Sequence, residues 1–289
     1  MSSANPSSSI GRSPGGSGWT TSKIQRSTFP ETILITGASS GIGRELARCF
    51  AGDGSRLILT ARRESALQSL AAELRREKGI EVLVLPADLS LPETPRRIFQ
   101  ELSAQNVSVD VLINNAGFGA IGAFDDLPLE RQLEMIHVNV TALTELTRLF
   151  LPPMIQRRRG GILNVASVAG FVPGAGMAVY YATKAFVLSL SEALAAELQG
   201  SGVIVSALCP GPTATNFGNV AGAQSVNLTR VPVMSAEAVA RAGHRAFRRR
   251  QVVVVPGLQN KLLVFLLRLA PRSLVRKTVR KLNGLVLKS

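Results

Sequence analysis

Short apolar runs alternate with longer amphipathic stretches along this chain of 289 residues, and this alternation limits the possible folds more than any other feature. β-branched runs of this kind suit strands that are buried on both faces. Strands that alternate with helices form a parallel sheet that the helices cover on both sides. We therefore predict an α/β fold with a seven-stranded parallel sheet. The predicted strands are Thr32–Thr36, Arg56–Ala61, Val82–Leu85, Val109–Ile113, Gly161–Ala166, Val203–Leu208 and Val252–Val255.

Composition divides the chain into three parts. Residues 1–29 are rich in Ser, Gly and Pro and carry no long apolar run, so we expect a disordered leader, with an organelle-targeting peptide as the alternative. Residues 30–257 contain every predicted strand and are expected to form one domain. Residues 258–289 contain eight Lys or Arg and no Asp or Glu, and we expect them to form a basic helical tail.

The segment TGASSGIG at residues 36–43 follows the first predicted strand and opens a predicted helix. Gly37 permits a tight turn, Gly41 allows the backbone to approach a diphosphate, and Gly43 allows close packing of helix on strand. The N–H groups at the start of the helix then meet the anion. A glycine-rich loop can also be only a turn, but this context predicts a dinucleotide site. Its candidate contacts are Gly37, Ser39, Ser40, Gly41, Ile42 and Gly43.

The end of the second strand indicates which dinucleotide is bound. Sites for NAD usually carry Asp or Glu at this position, where the carboxylate holds the ribose 2′-hydroxyl. This chain has TARR at residues 60–63 instead. Arg62 and Arg63 can bind a 2′-phosphate, and Arg44 is a further candidate clamp. We therefore predict NADP(H) as the cofactor, the alternative being solvated arginines at a helix start.

A tyrosine and a lysine lie four residues apart in a segment that is predicted to be a long helix. Tyr180 and Lys184 therefore share one helix face. A nearby ammonium group lowers the pKa of a phenol, which suits the phenol for general acid/base catalysis. Ser167 lies 13 residues before Tyr180, at the end of the fifth predicted strand. These three residues are the predicted catalytic group.

The glycine pattern, the segment NNAG at residues 114–117, the serine followed by YxxxK, and the PG at residues 210–211 together resemble the classical short-chain dehydrogenase/reductase family. The resemblance covers about residues 31–255 and implies a single Rossmann-type, doubly wound domain. It also implies hydride transfer between a ketone and a secondary alcohol. In that reaction Ser167 would bind the carbonyl oxygen, Tyr180 would transfer the proton, Lys184 would assist it and hold the ribose, and Asn139 would anchor a relay water.

The same resemblance adds residues to the predicted cofactor site. Asp88 would face the adenine, although an ordinary helix cap is the alternative. The segment 214–232 would cover the substrate, and no metal-ligand spacing is present. The added cofactor residues are Asp88, Leu89, Asn115, Ala116, Gly117, Tyr180, Lys184, Pro210, Gly211, Thr213 and Thr215.

The tail combines a basic stripe with apolar positions at helical spacing, and its longest apolar run is too short to span a bilayer. We expect the tail to lie on an anionic membrane surface. A helix packed on the domain and a dimer contact are the alternatives, and no nucleic acid is expected as a partner.

Together these features predict an NADP(H)-dependent oxidoreductase. The closest resemblance within the family is to reductases of lipophilic ketones, which are long-chain 3-oxoacyl, sphingoid or sterol-like compounds. The family commonly forms homodimers or homotetramers, and we expect a cytoplasmic protein that is peripheral on a membrane. The alternative is a non-catalytic dinucleotide-binding regulator or scaffold on the same fold. Such a protein needs the glycine loop but not the catalytic group.

Overall fold

A computed structural model describes residues 30–221 and 233–283. The predicted leader and residues 222–232 of the predicted substrate cover lie outside the described residues. The strands are β1 (Thr32–Thr36), β2 (Arg56–Thr60), β3 (Val82–Val84), β4 (Val111–Asn114), β5 (Gly160–Val165), β6 (Val203–Leu208), β7 (Thr213–Ala214), β8 (Met234–Ser235) and β9 (Val253–Val254). The α-helices are α1 (Gly41–Gly52), α2 (Glu64–Lys78), α3 (Thr94–Ala104), α4 (Leu129–Ile136), α5 (Leu143–Gln156), α6 (Ala178–Glu197), α7 (Phe217–Ala221), α8 (Ala236–Arg248), α9 (Leu258–Leu269) and α10 (Arg272–Leu282).

Seven strands form one parallel sheet in the order β3-β2-β1-β4-β5-β6-β9. This arrangement confirms the predicted fold class and strand number, with ends that differ by one or two residues from the prediction. The short pair β7 and β8 was not predicted, because two residues are too few to show an alternating pattern. β1 pairs with β2 on one side and with β4 on the other, so the strand order reverses at β1. This reversal leaves a crevice at the carboxyl ends of β1 and β4.

Both faces of the sheet are buried, which explains why the strands are continuously apolar. On β1, Ile33 and Ile35 point into one core with α1, α2 and α8, whereas Leu34 points into the other core with α3 and α5. All three side chains are fully buried. Successive residues of a strand face opposite sides, so burial on both sides requires apolar residues at every position.

The tail helices α9 and α10 pack on the domain with one face. Their buried side chains are Asn260, Val264, Val275 and Val279. The other face leaves large apolar side chains in solvent, namely Leu258, Leu262, Phe265, Leu266, Leu269 and Leu274. Within residues 30–221 and 233–283, no helix is long and apolar enough to cross a bilayer.

Candidate active site

The glycine loop adopts the conformation that its sequence predicts. Gly37 has φ +65°, and a side chain there would place its Cβ 2.8 Å from Nδ2 of Asn115. A Cβ on Gly43 would overlap the same amide and lie 2.5 Å from the carbonyl oxygen of Gly37. The first glycine therefore permits the turn, and the last allows α1 to begin tightly against it.

Two residues join this loop to the end of β4. The Thr36 hydroxyl accepts hydrogen bonds from the N–H groups of Asn115 at 3.0 Å and Ala116 at 2.9 Å. Nδ2 of Asn115 donates to the carbonyl oxygens of Thr36 and Gly37. Thr36 was not predicted as a site residue, although it directly precedes the glycine pattern. The strand ends on both sides of the crevice are therefore held in register.

A cleft of about 730 Å³ opens at the carboxyl ends of the strands. It brings together the predicted catalytic side chains and most of the predicted cofactor residues. The predicted residues that line it are Gly37, Ser39, Ser40, Gly41, Ile42, Arg62, Arg63, Asp88, Leu89, Asn115, Ala116, Gly117, Ser167, Tyr180, Lys184, Pro210, Gly211, Thr213 and Thr215.

Two predicted cofactor residues are not among the residues that line the cleft. Gly43 is buried between α1 and the glycine loop. The Arg44 guanidinium pairs with Glu73 of α2 at 3.2 Å, and Arg48 contacts the same carboxylate. Arg44 therefore takes part in an ion-pair cluster between two helices, a placement that differs from the prediction of a free phosphate clamp.

Two other predicted residues have structural contacts as well as a place in the cleft. The Asp88 carboxylate accepts hydrogen bonds from the N–H and the hydroxyl of Ser90, which matches the capping alternative. A Cβ on Gly211 would lie 2.5 Å from Oδ1 of Asn260, so this glycine allows α9 to approach the site.

The catalytic group is assembled from β5 and α6. The Ser167 side chain lies beside the Tyr180 hydroxyl, and its own hydroxyl donates to the carbonyl oxygen of Pro210 at 3.4 Å. The Ser167 hydroxyl also accepts a hydrogen bond from the N–H of Ala169, which orients it at the strand end. Nζ of Lys184 lies 5.9 Å from the centroid of the Tyr180 ring and donates to the carbonyl oxygen of Val165 at 2.8 Å. The two hydroxyls can therefore contact one substrate oxygen, with the amine behind them.

Burial controls the ionisation of this group. It raises the pKa of Tyr180 to about 12, and the hydrogen bond from Ser167 opposes this only in part. Burial also lowers the pKa of Lys184 to about 8. The predicted lowering of the phenol pKa by the amine is therefore wrong for this structure. Both side chains lie in a nearly water-free wall, where the charged form of each is disfavoured. The result keeps the proton on Tyr180.

Asn139 lies in a π-helical turn, His137–Ala142, which interrupts the helix between α4 and α5. Its side chain accepts from the N–H of Phe118 and donates to the carbonyl oxygen of Phe118 and to the hydroxyl of Thr183. Such turns occur mostly where a helix is shaped for function. Asn139 thus holds the loop after β4 against α6, behind the cleft wall rather than on its surface.

The mouth of the cleft is mainly apolar. Phe217 lies in the predicted substrate cover, whereas sequence analysis missed Tyr181; the two rings lie 5.3 Å and 6.1 Å from the Tyr180 ring. Sequence analysis also missed Glu134, whose carboxylate pairs with Arg131 at 2.9 Å. No motif identifies these residues, because each reaches the cleft from a different segment. Further apolar residues at the mouth are Phe118, Ile121, Val138, Met177, Ala221 and Val233.

In the described part of the chain, no three His, Cys, Asp or Glu side chains are grouped so that they could hold a metal ion. The glycine cradle fits a nicotinamide dinucleotide instead. It presents backbone and small side chains at a helix start, with two arginines at the end of β2. A doubly wound sheet with this cradle and a Ser-Tyr-Lys group defines a dinucleotide-dependent oxidoreductase.

Comparison with known proteins identifies the family. A family model described as short chain dehydrogenase matches residues 31–225. A very-long-chain 3-oxoacyl-CoA reductase of Pyrenophora tritici-repentis is 35% identical over 230 residues, which cover 70% of this chain and 67% of that protein. The chain spans less of two other curated relatives, 61% of one and 33% of the other. The chain belongs to the short-chain dehydrogenase family, which uses NAD or NADP as its hydride carrier.

Solved structures agree with this assignment. A short-chain dehydrogenase from Sphingobium yanoikuyae in complex with NADPH is 40% identical and has a TM-score of 0.76, covering 84% of this chain and 94% of that chain. A bulky-bulky ketone specific alcohol dehydrogenase from Comamonas testosteroni is 33% identical with a TM-score of 0.71, covering 86% of this chain and 95% of that chain. Both neighbours match this chain over most of its length, which agrees with its place in the family.

Proposed function

We propose that this protein is an NADPH-dependent reductase that converts a lipophilic ketone into a secondary alcohol. The observation that carries the proposal is that Ser167, the protonated Tyr180 phenol and Lys184 line the same cleft as the glycine cradle. A reductase must donate a proton to the carbonyl oxygen, and a phenol that keeps its proton is suited to this task.

The chain's own residues would orient the substrate and supply the proton. Bound nicotinamide supplies the hydride that goes to the carbonyl carbon. Ser167 donates a hydrogen bond to the carbonyl oxygen and stabilises the negative charge that develops there. Tyr180 donates its proton to that oxygen. Lys184 would hold the nicotinamide ribose and, while protonated, would favour the phenolate that remains. Asn139 anchors the loop beside Lys184 and would hold a relay water through which solvent restores the proton.

The preference for NADPH rests on charge at the end of β2. Arg62 and Arg63 line the cleft and are exposed, and no carboxylate stands at residues 60–63 to repel a 2′-phosphate. Arg44 is engaged by Glu73, so we assign the larger contribution to Arg62. NADPH in the Sphingobium neighbour supports this choice.

The lipophilic substrate is inferred from the apolar mouth of the cleft. Phe118, Met177, Tyr181 and Phe217 present carbon surface around the position that a ketone would occupy next to Tyr180. Such a wall binds alkyl or ring carbons by removing them from water. The printed names of the relatives, one acting on very-long-chain 3-oxoacyl-CoA and one on bulky-bulky ketones, support this class.

A non-catalytic regulator on the same fold remains the competing proposal. A protein that only senses dinucleotide would need the glycine cradle but no proton donor. The neighbouring Ser167 and Tyr180 side chains, with buried Lys184 behind them, favour catalysis. Burial of a lysine without a charged partner costs stability, and a catalytic role explains why the chain would keep one here.

We test catalysis by mixing the full chain with NADPH and a series of long-chain 3-oxo compounds, and following the loss of NADPH absorbance. Consumption that depends on the ketone supports the reductase. If NADPH binds tightly but no ketone, at any chain length or ring size, accelerates its oxidation, the regulator is the better description.

The exposed face of α9 and α10 supports a second part of the proposal, which is docking on an anionic lipid bilayer. Leu262 and Phe265 are 56% and 59% exposed, and Leu269 is 70% exposed. Exposed basic side chains accompany them, and residues 258–283 contain no acid that would repel anionic lipid. Apolar side chains that insert beside bases that bind headgroups are the usual basis of interfacial binding.

Vesicle flotation tests this docking. The full chain should float with vesicles that contain phosphatidylserine and much less with phosphatidylcholine alone. The double change Leu262→Ser and Phe265→Ser should abolish flotation, whereas Phe124→Ser, at a 67% exposed site outside the tail, should not. Equal flotation of the two variants would refute docking through α9.

A further exposed stripe on α4 supports the proposed homodimer. Leu129, Leu133 and Ile136 follow one another at helical spacing and are 63%, 55% and 39% exposed. A second copy of the chain could bury this stripe against itself about a twofold axis. Light scattering should give twice the chain mass, and Leu133→Glu should give the mass of one chain.

A further inference from the structure

We infer that Asn283, directly after α10, is a positioning residue that holds the outer wall of the substrate pocket and thereby sets the preference for bulky ketones. The inference rests on the proposed reductase function and deepens it. It assigns to the tail a role inside the site that is separate from any contact with a membrane.

Asn283 reaches two neighbouring parts of the wall at once. Its Nδ2 donates to the carbonyl oxygen of Ala175 at 2.8 Å. The same side chain lies beside the hydroxyl of Tyr181. Tyr181 directly follows the proton donor Tyr180 in α6 and lines the cleft. One side chain therefore links the end of α10 to the loop before α6 and to the first turn of α6.

The wall that Asn283 contacts is the loop before α6, which packs directly against the Tyr181 ring. Gly174 lies flat against the Tyr181 ring, since a Cβ on Gly174 would overlap that ring. Two residues further on, the carbonyl oxygen of Gly176 accepts a hydrogen bond from the N–H of Gly122 at 2.9 Å, which joins this loop to the loop after β4. Met177 then lines the cleft. The segment from Ala175 to Met177 thus joins the tail to the pocket.

The start of the tail is also fixed near the site, so α9 and α10 are anchored both at Asn260 and at Asn283. Nδ2 of Asn260 donates to the carbonyl oxygen of Pro256, and its side chain fills the space beside Gly211. The Arg268 guanidinium lies 5.4 Å from the centroid of the Phe171 ring, just before the same loop. These contacts hold α9 against Gly211 and Phe171, next to the cleft.

This arrangement has a specific consequence for substrate choice. Tyr181 and Met177 lie at the mouth, so they would contact the distal carbons of a large ketone and not the carbonyl group itself. Loss of the hydrogen bond from Asn283 to Ala175 should loosen these distal contacts while the Ser167 and Tyr180 hydroxyls stay in place. The expected loss is therefore in KM for bulky ketones, with kcat nearly unchanged.

The test compares Asn283→Ala, Tyr181→Phe and the double variant in the full chain, with one long-chain 3-oxo ketone and one short ketone. Each single variant should raise KM for the long ketone about 3- to 10-fold, the usual effect of one lost hydrogen bond. KM for the short ketone and for NADPH should change less than about 2-fold. The double variant should be no worse than the poorer single variant, because both disturb the same contact between the tail and the wall.

Lys281→Ala is the matched control, since Lys281 is an exposed residue of the same helix. It should behave like the wild-type chain. Equal KM changes for long and short ketones, or fully additive effects in the double variant, would overturn the inference. So would an unchanged KM in Asn283→Ala.

Hydrogen exchange separates failure of this inference from failure of the proposed function. If the wild-type chain reduces no ketone, the reductase proposal fails, but the wall can still be examined with NADPH bound. Asn283→Ala should speed amide exchange in peptides that cover residues 172–181, and Lys281→Ala should not. Unchanged exchange in both variants would refute the positioning role without reference to activity.

Discussion

The two halves of the cleft are built in different ways. The cofactor half consists of backbone and small residues at adjacent strand ends, and a Cβ on Gly37 would meet the backbone of Ala116 at 2.9 Å. The substrate half consists of large side chains from separate segments. A Cβ on Gly119 would lie 2.8 Å from the tip of the Phe217 ring, but that side chain can rotate and make room. The comparison indicates that changes in the first half abolish binding, whereas changes in the second half tune it.

The largest expected effect lies where the two halves meet. Tyr180→Phe removes only the hydroxyl that Ser167 contacts and keeps the packed ring. Turnover should fall at least about 100-fold, the scale of a lost general acid, while NADPH affinity and thermal stability stay near the wild-type values. Steady-state kinetics and NADPH fluorescence titration measure the two effects. Near-normal turnover would remove Tyr180 from the mechanism.

The next largest effect should be confined to the cofactor half. Arg62→Ala should lower kcat/KM with NADPH about 10- to 100-fold, the range for a lost charge-assisted hydrogen bond, and leave kcat/KM with NADH nearly unchanged. Arg44→Ala is the matched comparison, because its guanidinium is already paired with Glu73. An effect of Arg44→Ala on NADPH that equals or exceeds that of Arg62→Ala would show that the ion pair opens to bind phosphate.

Lys184 should set the upper pH limit of reduction. Its pKa is lowered to about 8 by burial, whereas burial raises the pKa of Tyr180 to about 12, so the amine loses its proton first. The rate of ketone reduction should fall as pH rises above about 8, towards a tenfold loss per pH unit. A pH–rate profile measures this, with NADPH binding followed over the same range. A flat profile to pH 10 would contradict the assignment.

The same residue should oppose folding at neutral pH. The pKa of Lys184 falls from 10.5 to about 8 in the folded chain, so between these values the unfolded chain binds more protons. Stability from this group therefore rises as pH increases from about 8 to about 10.5. Lys184→Met should raise the free energy of unfolding at pH 7 by about 1–3 kcal/mol, while turnover is lost. Chemical denaturation at pH 7 and pH 10 tests both statements.

The halves also differ in how far the sequence predicts them. The conformations of Gly37 and Gly43 follow from local rules, because a turn and a helix start depend on neighbouring residues. The pairing of Tyr180 with Lys184 follows from helix geometry. The ion-pair partner of Arg44 cannot be predicted in this way, because Glu73 lies on another helix, 29 residues away.

The environment of Tyr180 was the least predictable feature. Spacing shows that a lysine is near the phenol, but it does not show how completely both are buried. Desolvation depends on Phe217 and on the loop after β5, which approach from distant parts of the chain. Consequently the direction in which the pKa of Tyr180 shifts was predicted wrongly, although Tyr180 and Lys184 themselves were identified. Asn283 was missed for the same reason, since its contacts lie 102 and 108 residues away in sequence.

The smallest predicted effect concerns this desolvation directly. Phe217→Ala should expose the phenol and move the pKa of Tyr180 down from about 12 towards its ordinary value of 10.0, because burial is the main cause of the shift. The chain contains two tyrosines, so the absorbance of tyrosinate during a pH titration resolves few groups. Tyr180→Phe identifies which step belongs to the catalytic phenol. Leu129→Ala, on exposed α4, is the control. NADPH affinity should not change, because Phe217 belongs to the substrate half. If the Tyr180 step in Phe217→Ala stays at the wild-type pH, then the sheet side of the cleft, and not its mouth, keeps water from the phenol.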